Sequence, residues 1–419
     1  MLLNMSIANF KSVKDTQTIS FEALRDKRFS DSKIFQVNDT LSLIKSAAII
    51  GPNGAGKSSF VRALESLKSI ICASDEVENP LQVLSGTSFA YTREKNTPCT
   101  ITIRFLLEKG NLDNIDEEPS IIGIYSFSAN NKKITHESLY FVFNRSKKLM
   151  FERSEVVDPL ADEDSPISYK YRFGKMYRGE KKRLIKKIDE KHSFLSSAAI
   201  KGSETTTPVK EWFENNLNIL PMGVSAISEK YIMDQITAHP DWVQQLINFL
   251  WALDITDIKN IQIMNNRLVF SHTNVMQSYA TYYSLESLSL RRLCLIGIAF
   301  FESFIQPKTI IIDDFGMLLH PYVLKHIIEI FEDCNKTTYS QLLAVDCNPA
   351  LLIPGLLRRD GVYFAQKNEK SETVYYSLAD FRFSRSRDLT SEQYMHGAFG
   401  ALPLLSDFYF INKEEEEEK

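Results

Sequence analysis

The sequence predicts a mixed α/β fold, and three observations support that class. An apolar run over residues 47–50 leads through a glycine-rich loop into a helix whose apolar side chains recur on one face. In the C-terminal half, short apolar strands alternate with helices, which favours parallel pairing of those strands. Between residues 100 and 153, strand-like stretches follow one another across acidic and Asn-rich turns, which favours an antiparallel sheet.

The composition is that of an ordinary globular protein. The chain has 419 residues, of which 44% are apolar and 24% are charged. At roughly 150 residues per unit, this length suggests two or three structural units and can bury a large core. The formal net charge of −4 argues against a surface that attracts nucleic acid as a whole, so any basic binding face must be local.

No pattern in the sequence predicts insertion into a membrane. The longest apolar run, residues 293–301, ends at Glu302, whereas a spanning helix needs about 20 apolar residues. The N-terminus lacks a basic stretch followed by an apolar core, so no signal peptide is expected. The five cysteines, at positions 72, 99, 294, 334 and 347, have no paired spacing. Such scattered cysteines are typical of reduced thiols in a cytoplasmic protein.

Local patterns place the individual elements along the chain. Strands are expected over 1–9 and 16–21, and in the antiparallel region over 100–106, 121–128, 139–143 and 149–153. Apolar repeats predict helices from 209 to 258, with the aromatic residues between Trp212 and Trp251 in a helical core. Further strands are expected over 267–271, 309–312, 341–345, 361–365 and 374–378. Helices are expected over about 286–304 and from Pro321 onward, and the glutamates at 414–418 predict a solvated tail.

The glycine-rich loop fits the pattern G-x-x-x-x-G-K-[ST], which binds nucleotide phosphates. Its glycines let successive backbone N–H groups turn inward, and the start of the next helix adds to a site for anions. Lys57 can reach the β- and γ-phosphates, and the Ser58 hydroxyl can ligate Mg²⁺. A chance glycine-rich turn is the alternative, but the preceding strand and following helix favour the functional interpretation. The predicted ATP and Mg²⁺ site comprises Gly51, Pro52, Asn53, Gly54, Ala55, Gly56, Lys57, Ser58 and Ser59.

An acidic pair, Asp313 and Asp314, follows a buried strand in the C-terminal half. A carboxylate at the end of such a strand can lie near the magnesium ion, so Asp313 is predicted to hold Mg²⁺ together with Ser58. Asp314 stands where a general base for the attacking water is expected, and with Lys57 it completes the predicted catalytic set. Acidic pairs are also common in plain turns.

Together these motifs resemble the ABC-type, AAA-like ATPase heads found in bacterial phage-defence and abortive-infection systems. SMC and recombination-repair ATPases are more distant relatives. The opening Asn9-Phe10-Lys11-Ser12 resembles the Asn-Phe-Lys/Arg-Ser-Phe start of these proteins. The phosphate loop, Asp313 with the Leu-His-Pro at 319–321, and the stretches 357–360 and 396–403 carry the rest of the resemblance.

The resemblance covers nearly the whole chain and implies an ABC-ATPase-like P-loop NTPase head with a mixed sheet, an antiparallel β lobe and a helical lobe. Residues 1–200 are then expected to form an N-terminal ATPase lobe with the phosphate loop and the antiparallel region. Residues 201–265 would form the helical lobe. Residues 266–419 would form a C-terminal ATPase lobe with a signature-like segment, the magnesium-binding strand and the acidic tail.

In this family two heads enclose ATP, so the resemblance implies a homodimer or higher oligomer. One head would supply the phosphate loop, and the other a Ser-Gly-rich signature segment at the start of a helix. The matching segment here is 286–293, which makes Ser287 and Ser289 candidate nucleotide contacts. Ser289 stands in place of the expected glycine, and its Cβ restricts close approach of the backbone to a phosphate.

Two more positions depart from the family pattern. Asp314 replaces the catalytic glutamate and is one methylene shorter, and a displacement of about 1 Å can cost on the order of a hundredfold in rate. Cys347 replaces the switch-loop histidine, and a thiol is a poor substitute for an imidazole. The alternative is a shifted alignment in which Asp346, Asn348 or His320 supplies these functions. We expect a weak ATP hydrolase with slow turnover, or a subunit that uses ATP mainly as a dimerising ligand.

The most basic stretch of the sequence runs from Lys175 to Lys191, with Tyr177 inside it. Phosphate contacts with DNA or RNA are one interpretation, and a solvated helix or a face for an acidic protein partner is the other. Lys11 either lies near the nucleotide or is a surface residue beside a structural phenylalanine. His320 either caps a helix or faces the second head.

Three functions follow from these features. The favoured one is a regulatory ATPase subunit of a bacterial anti-phage defence module, which oligomerises on ATP and controls a separate effector, a nuclease or toxin. The second is a nucleic-acid-binding head of the repair type, whose DNA binding would depend strongly on salt. The absence of sustained heptads and the acidic balance count against it. The third is a nucleotide-bound scaffold that does not hydrolyse ATP.

Overall fold

The computed structural model describes residues 1–25, 33–92, 97–108, 120–143, 146–156, 167–220, 226–335, 338–382 and 390–407. The predicted acidic tail at 414–418 lies outside these ranges. Within them, no helix is both long enough and apolar enough to cross a membrane.

The strands of the described residues form two large sheets and two small ones. They are β1 (Leu2–Ala8), β2 (Gln17–Ser20), β3 (Ile34–Gln36), β4 (Ser42–Ile44), β5 (Ser46–Ile50), β6 (Cys99–Glu108), β7 (Ser120–Ala129), β8 (Ile134–Phe143), β9 (Ser146–Val156), β10 (Ser168–Phe173), β11 (Leu217–Leu220), β12 (Ile258–Met264), β13 (Arg267–Thr273), β14 (Ser278–Tyr282), β15 (Thr309–Asp313), β16 (Gln341–Asp346), β17 (Val362–Lys367) and β18 (Thr373–Ser377).

The helices are distributed along the whole chain, with Pro321 in the first turn of one of them, where its missing N–H costs nothing. They are α1 (Lys57–Cys72), α2 (Lys182–Ile185), α3 (Phe194–Ile200), α4 (Thr207–Glu211), α5 (Ala226–Ala238), α6 (Trp242–Ala252), α7 (Leu288–Ile305), α8 (Pro321–Cys334) and α9 (Thr390–Met395). A π-helical turn, Trp212–Asn216, continues α4.

The central sheet has the strand order β11-β15-β16-β5-β17-β18. Its first five strands are parallel, and β18 returns antiparallel to β17. Every residue of β5, β15 and β16 is buried, as expected for parallel strands covered on both faces. The strand that carries the phosphate loop therefore lies inside the sheet, between two strands from the C-terminal half of the chain.

The second large sheet is antiparallel, with the order β10-β9-β8-β7-β6-β1-β2. The predicted antiparallel pairing of the region from 100 to 153 is confirmed by the registers of β6 to β9. The N-terminal strand β1 joins this sheet beside β6. The predicted α/β class, with a mixed sheet and a separate antiparallel sheet, is likewise confirmed.

Alternate residues of the central strands enter two different hydrophobic cores. Ala47 and Ile49 of β5 face the core that also contains α1 and the antiparallel sheet. Ala48 and Ile50 face the core formed with α6, α7 and α8. This alternation follows from the two-residue period of a strand, and it makes the central sheet the boundary between the two cores.

The predicted run of helices from 209 to 258 is wrong at one place, because Leu217–Leu220 form strand β11. This strand pairs in parallel with β15 at the edge of the central sheet. Its sequence, Leu-Asn-Ile-Leu, also suits a helical repeat, and only pairing with a strand far along the chain decides between the two.

The aromatic residues near this strand do not all belong to a helical core, as had been expected. Trp212 and Phe213 pack against the antiparallel sheet, with the ring of Trp212 4.7 Å from that of Phe105 between centroids. Trp242 does lie in the helix-rich core, whereas Trp251 is 39% exposed. Apolar periodicity identifies a buried face but not the layer against which that face packs.

Candidate nucleotide-binding site

The predicted phosphate loop joins the carboxyl end of β5 to the start of α1. In open α/β sheets, ligands bind at this edge, beyond the carboxyl ends of the parallel strands. Gly56 is the N-cap of α1 and has no side chain to occupy the amides of the first turn. The start of this 16-residue helix is thus available to an anion.

Three loop glycines are required by the local geometry. Gly54 and Gly56 have φ angles of 77° and 97°, in the left-handed region that side chains disfavour. A Cβ at Gly56 would lie 2.1 Å from Thr373 Oγ1, and one at Gly51 would lie 2.3 Å from the carbonyl oxygen of Ala365. These contacts explain why the motif cannot accept larger residues at its ends.

Lys57 is the first residue of α1, and its side chain curls back over the loop. Its Nζ donates to the carbonyl oxygens of Gly51 at 2.9 Å and Pro52 at 3.0 Å. Only 7% of the residue is exposed, so the ammonium group is held inside the loop rather than in bulk water. A cation in this place is suited to phosphate oxygens that enter the loop.

Asp313 and Ser58 are brought together across the sheet, as the sequence predicted. Asp313 ends β15 and is 1% exposed, and its carboxylate accepts a hydrogen bond from the Ser58 hydroxyl. Burial raises the pKa of Asp313 above its usual value, the Ser58 hydrogen bond opposes this shift, and the neighbouring Asp314 charge adds to it. Its Oδ2 is buried and accepts no hydrogen bond from any described residue.

This pair fits Mg²⁺ better than it fits a purely structural role. A buried carboxylate oxygen with no donor is costly, and a hard cation would satisfy it. Magnesium in nucleotide sites is held by one or two protein groups together with phosphates and water. The described part of the chain has no cluster of three or more His, Cys, Asp or Glu residues suited to a metal. Ser58 and Asp313 would hold the ion, which would neutralise phosphate charge.

Asp314 follows β15 in a strained turn at the same edge of the sheet. Its φ of 49° lies in the left-handed region, which aspartate tolerates better than most residues. Its N–H donates to Asp313 Oδ1 at 3.2 Å, and its own side chain is half-buried. The side chain is thus partly accessible to solvent at the edge of the site, and its role as base stays a prediction.

Arg292 of α7 holds this turn through hydrogen bonds, a contact that was not predicted from the sequence. The guanidinium is 2% exposed and donates from Nη2 to the carbonyl oxygens of Asp313 at 2.7 Å and Asp314 at 3.4 Å. Burial lowers the pKa of Arg292, while the charges of Asp314, Asp313 and Asp346 oppose that shift. The contact joins the signature helix to the acidic pair within one head.

Asp346 and Cys347, at the end of β16, lie on the other side of this turn. Asp346 accepts hydrogen bonds from the backbone N–H groups of Gly316 and Asn348, so its carboxylate is engaged in fixing the loop. Desolvation and the Asp346 charge raise the pKa of Cys347, and the nearby Lys57 charge lowers it. The thiol therefore stays neutral near pH 7, close to the residue that would contact phosphate.

Residues of β18 and of the N-terminal motif hold the phosphate loop through hydrogen bonds. The two residues from β18, Thr373 and Tyr375, were not predicted from the sequence. Thr373 Oγ1 lies 2.8 Å from both the carbonyl oxygen of Ala55 and the hydroxyl of Ser12. Tyr375 donates its hydroxyl hydrogen to the carbonyl oxygen of Gly56 at 2.8 Å. Thr373 and Ala55 are 318 positions apart, so no local pattern could have linked them.

The signature-like segment begins α7, at the place the sequence indicated. Ser287 is the N-cap, and its hydroxyl accepts from the N–H of Leu290 at 3.2 Å. Ser289 donates its hydroxyl hydrogen to the carbonyl oxygen of Leu318 at 2.9 Å. Among the described residues, neither hydroxyl bonds to the phosphate loop. Both lie at the surface of the head.

The remaining candidates are distributed as follows. Lys11 has an exposed side chain and a φ of 51°, and it is adjacent to Ser12, whose hydroxyl is 3.2 Å from that of Ser59. His320 is the N-cap of α8 and accepts from the N–H of Tyr322 at 3.2 Å. Tyr177, in the basic stretch, is buried rather than available for stacking.

The comparisons with known proteins concern the domain family and the fold. A family model described as "AAA domain, putative AbiEii toxin, Type IV TA system" matches residues 46–345, a range that begins with the phosphate-loop strand and ends within β16. A comparison with curated proteins gives no match.

Solved structures of SMC heads are similar in fold. The SMC head bound to the C-winged helix domain of ScpA has a TM-score of 0.50 and 11% identity, covering 90% of this chain and 97% of that one. The SMC head from Thermotoga maritima has a TM-score of 0.41 and 12% identity, covering 90% of this chain and 98% of that one. The Pyrococcus furiosus head bound to the C-terminal domain of ScpA has a TM-score of 0.44 and 10% identity. The match covers 94% of this chain and 98% of that one. At such identities the likeness concerns the fold alone.

Proposed function

This chain belongs to the family of AAA domains described as putative AbiEii toxin of a type IV toxin–antitoxin system, and from that premise we propose that it is an ATP-binding regulatory ATPase subunit. In this proposal, ATP and Mg²⁺ drive its association into a homodimer or higher oligomer. The oligomer controls a separate effector protein, a nuclease or toxin, in a bacterial anti-phage defence module.

The observation that carries the proposal is the pairing of the phosphate loop with the acidic strand. The loop glycines, the curled Lys57 and the Ser58–Asp313 hydrogen bond form one constellation at the edge of the central sheet. Asp313 Oδ2 has no hydrogen-bond donor among the described residues, which supports Mg²⁺ as the missing partner. The chemistry that such a site supports is phosphate binding followed by in-line attack of water.

Three positions support slow rather than rapid hydrolysis. Asp314 is one methylene shorter than the glutamate of related ATPases, and a base displaced by about 1 Å can cost on the order of a hundredfold in rate. Ser289 carries a Cβ where a glycine would let the helix start approach phosphate. Cys347 is held neutral by desolvation and by Asp346, so it cannot offer the second charge-assisted donor of an imidazolium.

The surface around the signature segment supports association with a second head. Leu285 and Leu288 flank Ser287 and are 75% and 45% exposed. Leu318, which is hydrogen-bonded to Ser289 through its carbonyl oxygen, is 51% exposed. Apolar side chains grouped beside a polar nucleotide contact are suited to an interface that closes over ATP.

The proposals of a separate effector and of a cytoplasmic location depend on the family and on analogy. The SMC head with a TM-score of 0.50 is bound to a domain of a separate protein, ScpA, which is a precedent for partner binding by a head of this fold. A cytoplasmic location is proposed because the five cysteines of the chain are free thiols, two of them exposed. Regulation would operate by population shift, since ATP favours the closed oligomer only through its higher affinity for that state.

The test is the mass of the purified chain, measured by light scattering with no nucleotide, with ADP and with saturating Mg²⁺–ATP, while phosphate release is followed. We expect an increase to at least a dimer with ATP, and turnover well below about 1 s⁻¹. Lys57→Ala should remove the increase in mass. Leu288→Asp should also remove it, but should leave ATP binding intact.

Each part of the proposal has its own contrary outcome. A chain that stays monomeric at saturating Mg²⁺–ATP would contradict the switch. Turnover at about 1 s⁻¹ or faster would contradict impaired hydrolysis. ATP retained in the oligomer without any phosphate release would identify the alternative, a nucleotide-bound scaffold.

A further inference from the structure

We propose that the segment from Lys175 to Lys191 forms a binding surface for the phosphate backbone of a nucleic acid, separate from the ATP site. The segment has eight Lys or Arg residues and three Asp or Glu residues, so its net charge is +5 in a chain of net charge −4. The other residues together then carry −9. A local basic surface on an acidic protein concentrates polyanions at one place.

Two cations of this segment have contacts within the fold: Arg178 Nη1 donates to the carbonyl oxygens of Lys175 at 3.1 Å and Tyr177 at 3.4 Å, and Lys181 lies over aromatic rings. Most of the Lys and Arg side chains of the segment are exposed, and none of the exposed ones forms an ion pair with a described residue. The exposed set is Lys175, Arg178, Lys182, Arg183, Lys186 and Lys187. The segment is anchored instead by Tyr177 and Leu184, which are buried. Apart from Arg178, whose guanidinium donates to backbone carbonyl oxygens, the cations of this set are available to contact an external anion.

Two of these cations, together with Lys201 outside the segment, meet at one concave place. Arg183, Lys187 and Lys201 line a cavity of about 400 Å³ whose apolar lining includes Leu184 and Ile188. Two of the acidic residues that line that cavity interact with other residues of the protein. Asp189 accepts hydrogen bonds from the backbone and ring of His192, and Asp75 lies 3.7 Å from Lys201 Nζ. Glu180 lines the same cavity and Lys201 pairs with Asp75, so Arg183 and Lys187 against Glu180 leave an excess of one positive charge there.

The aromatic residues decide the mode of contact. Tyr177 is 3% exposed and packs on Phe173, with ring centroids 5.0 Å apart. Lys181 Nζ lies 5.2 Å and 5.4 Å from the centroids of these two rings and covers them. No ring of the segment is therefore available for stacking on unpaired bases, which is the contact that single strands require. Recognition would be of the phosphate backbone, independent of sequence, and a duplex should bind at least as well as a single strand.

The surface is attached to the far end of the phosphate-loop helix. His192 Nε2 lies 2.9 Å from the carbonyl oxygen of Val77, and the Ser196 hydroxyl donates to that of Ala73 at 3.4 Å. Ala73 directly follows α1, whose 16 residues span about 24 Å at 1.5 Å each. ATP and nucleic acid would therefore occupy opposite ends of one helix without competing, and this inference does not depend on the proposed function.

The experiment is fluorescence anisotropy of a labelled DNA duplex of about 30 base pairs with the full chain, between about 50 and 200 mM salt. The variant Lys182→Glu/Arg183→Glu/Lys187→Glu is compared with Lys230→Glu/Lys259→Glu/Lys367→Glu, which changes the same charge at exposed sites elsewhere. We expect the first variant to lose at least about tenfold in affinity and the salt slope to fall by up to about three. The control variant should bind as the native chain does, and both should bind ATP unchanged.

Three outcomes would overturn the proposal. One is equal loss of duplex binding by both variants, which would indicate a net-charge effect. Another is clear preference for a single strand of the same length, which would indicate base stacking elsewhere on the head. The third is binding of a polyglutamate peptide but not of the duplex, which would assign this surface to an acidic protein partner.

Discussion

Asp313 is the residue whose surroundings define the site most sharply. Its carboxylate is buried at the end of β15, it receives the Ser58 hydroxyl, and its pKa is raised by burial. Its Oδ2 has no hydrogen-bond donor among the described residues. A buried carboxylate oxygen without a donor lowers the folding stability of the free protein and favours the binding of a cation. The two effects can be separated by a substitution that keeps the shape of the side chain.

Asp313→Asn should leave the free protein as stable as before, or up to about 1 kcal/mol more stable, because an unsatisfied buried charge is removed. The same substitution should abolish the added stability that Mg²⁺–ATP gives the native chain. Thermal unfolding with and without Mg²⁺–ATP measures both. A free protein that loses several kcal/mol on substitution would assign Asp313 a structural role instead.

Asp314→Glu should increase phosphate release roughly tenfold or more, because the longer side chain carries the base closer to where related ATPases place it. The left-handed turn at this position should cost the variant about 1 kcal/mol of folding stability. Asp314→Asn is the matched control and should reduce release to background. Release that is the same for aspartate and glutamate would exclude a limit set by the length of this side chain.

At the scale of elements, α7 connects the parts of the site. Ser287 caps its start, and Arg292 in its second turn donates to the carbonyl oxygens of the acidic pair. The residue before the cap, Glu286, bonds to His272 of β13 at 2.9 Å, and Asp257 bonds to the other nitrogen of that ring at 2.8 Å. The three-stranded sheet β12-β13-β14 thereby holds the entry to the signature helix.

His272 gives this entry a dependence on pH. Burial lowers its pKa, but the hydrogen bonds and charges of Asp257 and Glu286 outweigh burial and raise the pKa above the usual 6.5. Tyr279 stacks on the ring at 4.8 Å, and Thr281 also donates to Glu286. The imidazolium therefore contributes stability that is complete below pH 6.5 and is lost as pH rises through the raised pKa.

The unfolding free energy should accordingly decline as the pH rises above about 6.5, and His272→Gln should flatten that decline. Urea unfolding at several pH values measures it. His326→Gln, which alters an exposed histidine paired with Glu329, is the control and should leave the decline in place. If the variant at 272 declines as the native chain does, the histidine is not the titrating group.

At the scale of the molecule, the two halves of the chain are interleaved in one sheet. The phosphate-loop strand β5 lies between β16 and β17, both of which come from the C-terminal half. Gln341, at the start of β16, also bonds to the backbone of Leu2 near the N-terminus. Its Oε1 accepts from the Leu2 N–H at 2.7 Å, and its Nε2 donates to the Leu2 carbonyl oxygen at 2.9 Å. The lobes proposed at 1–200, 201–265 and 266–419 thus share a core.

A fragment of residues 1–200 should therefore not form a cooperative fold on its own, because both neighbours of β5 would be missing and its buried backbone groups unpaired. Co-expression with residues 201–419 should restore Mg²⁺–ATP binding. Urea unfolding of the fragment, followed by circular dichroism, is the measurement. A single cooperative transition in the isolated fragment would show that the N-terminal lobe is independent.

The sequence by itself determined the features that depend on neighbouring residues. The phosphate loop, the end of β15, the start of α7 and the antiparallel strands follow from glycine spacing, short apolar runs and alternation, which act over a few residues. Only the tertiary structure decided that Leu217–Leu220 is a strand, that Trp212 packs under the antiparallel sheet, and that Thr373 and Arg292 support the site. Those contacts join residues that are from 21 to 318 positions apart, so their energies depend on the packed fold and leave no local pattern to read.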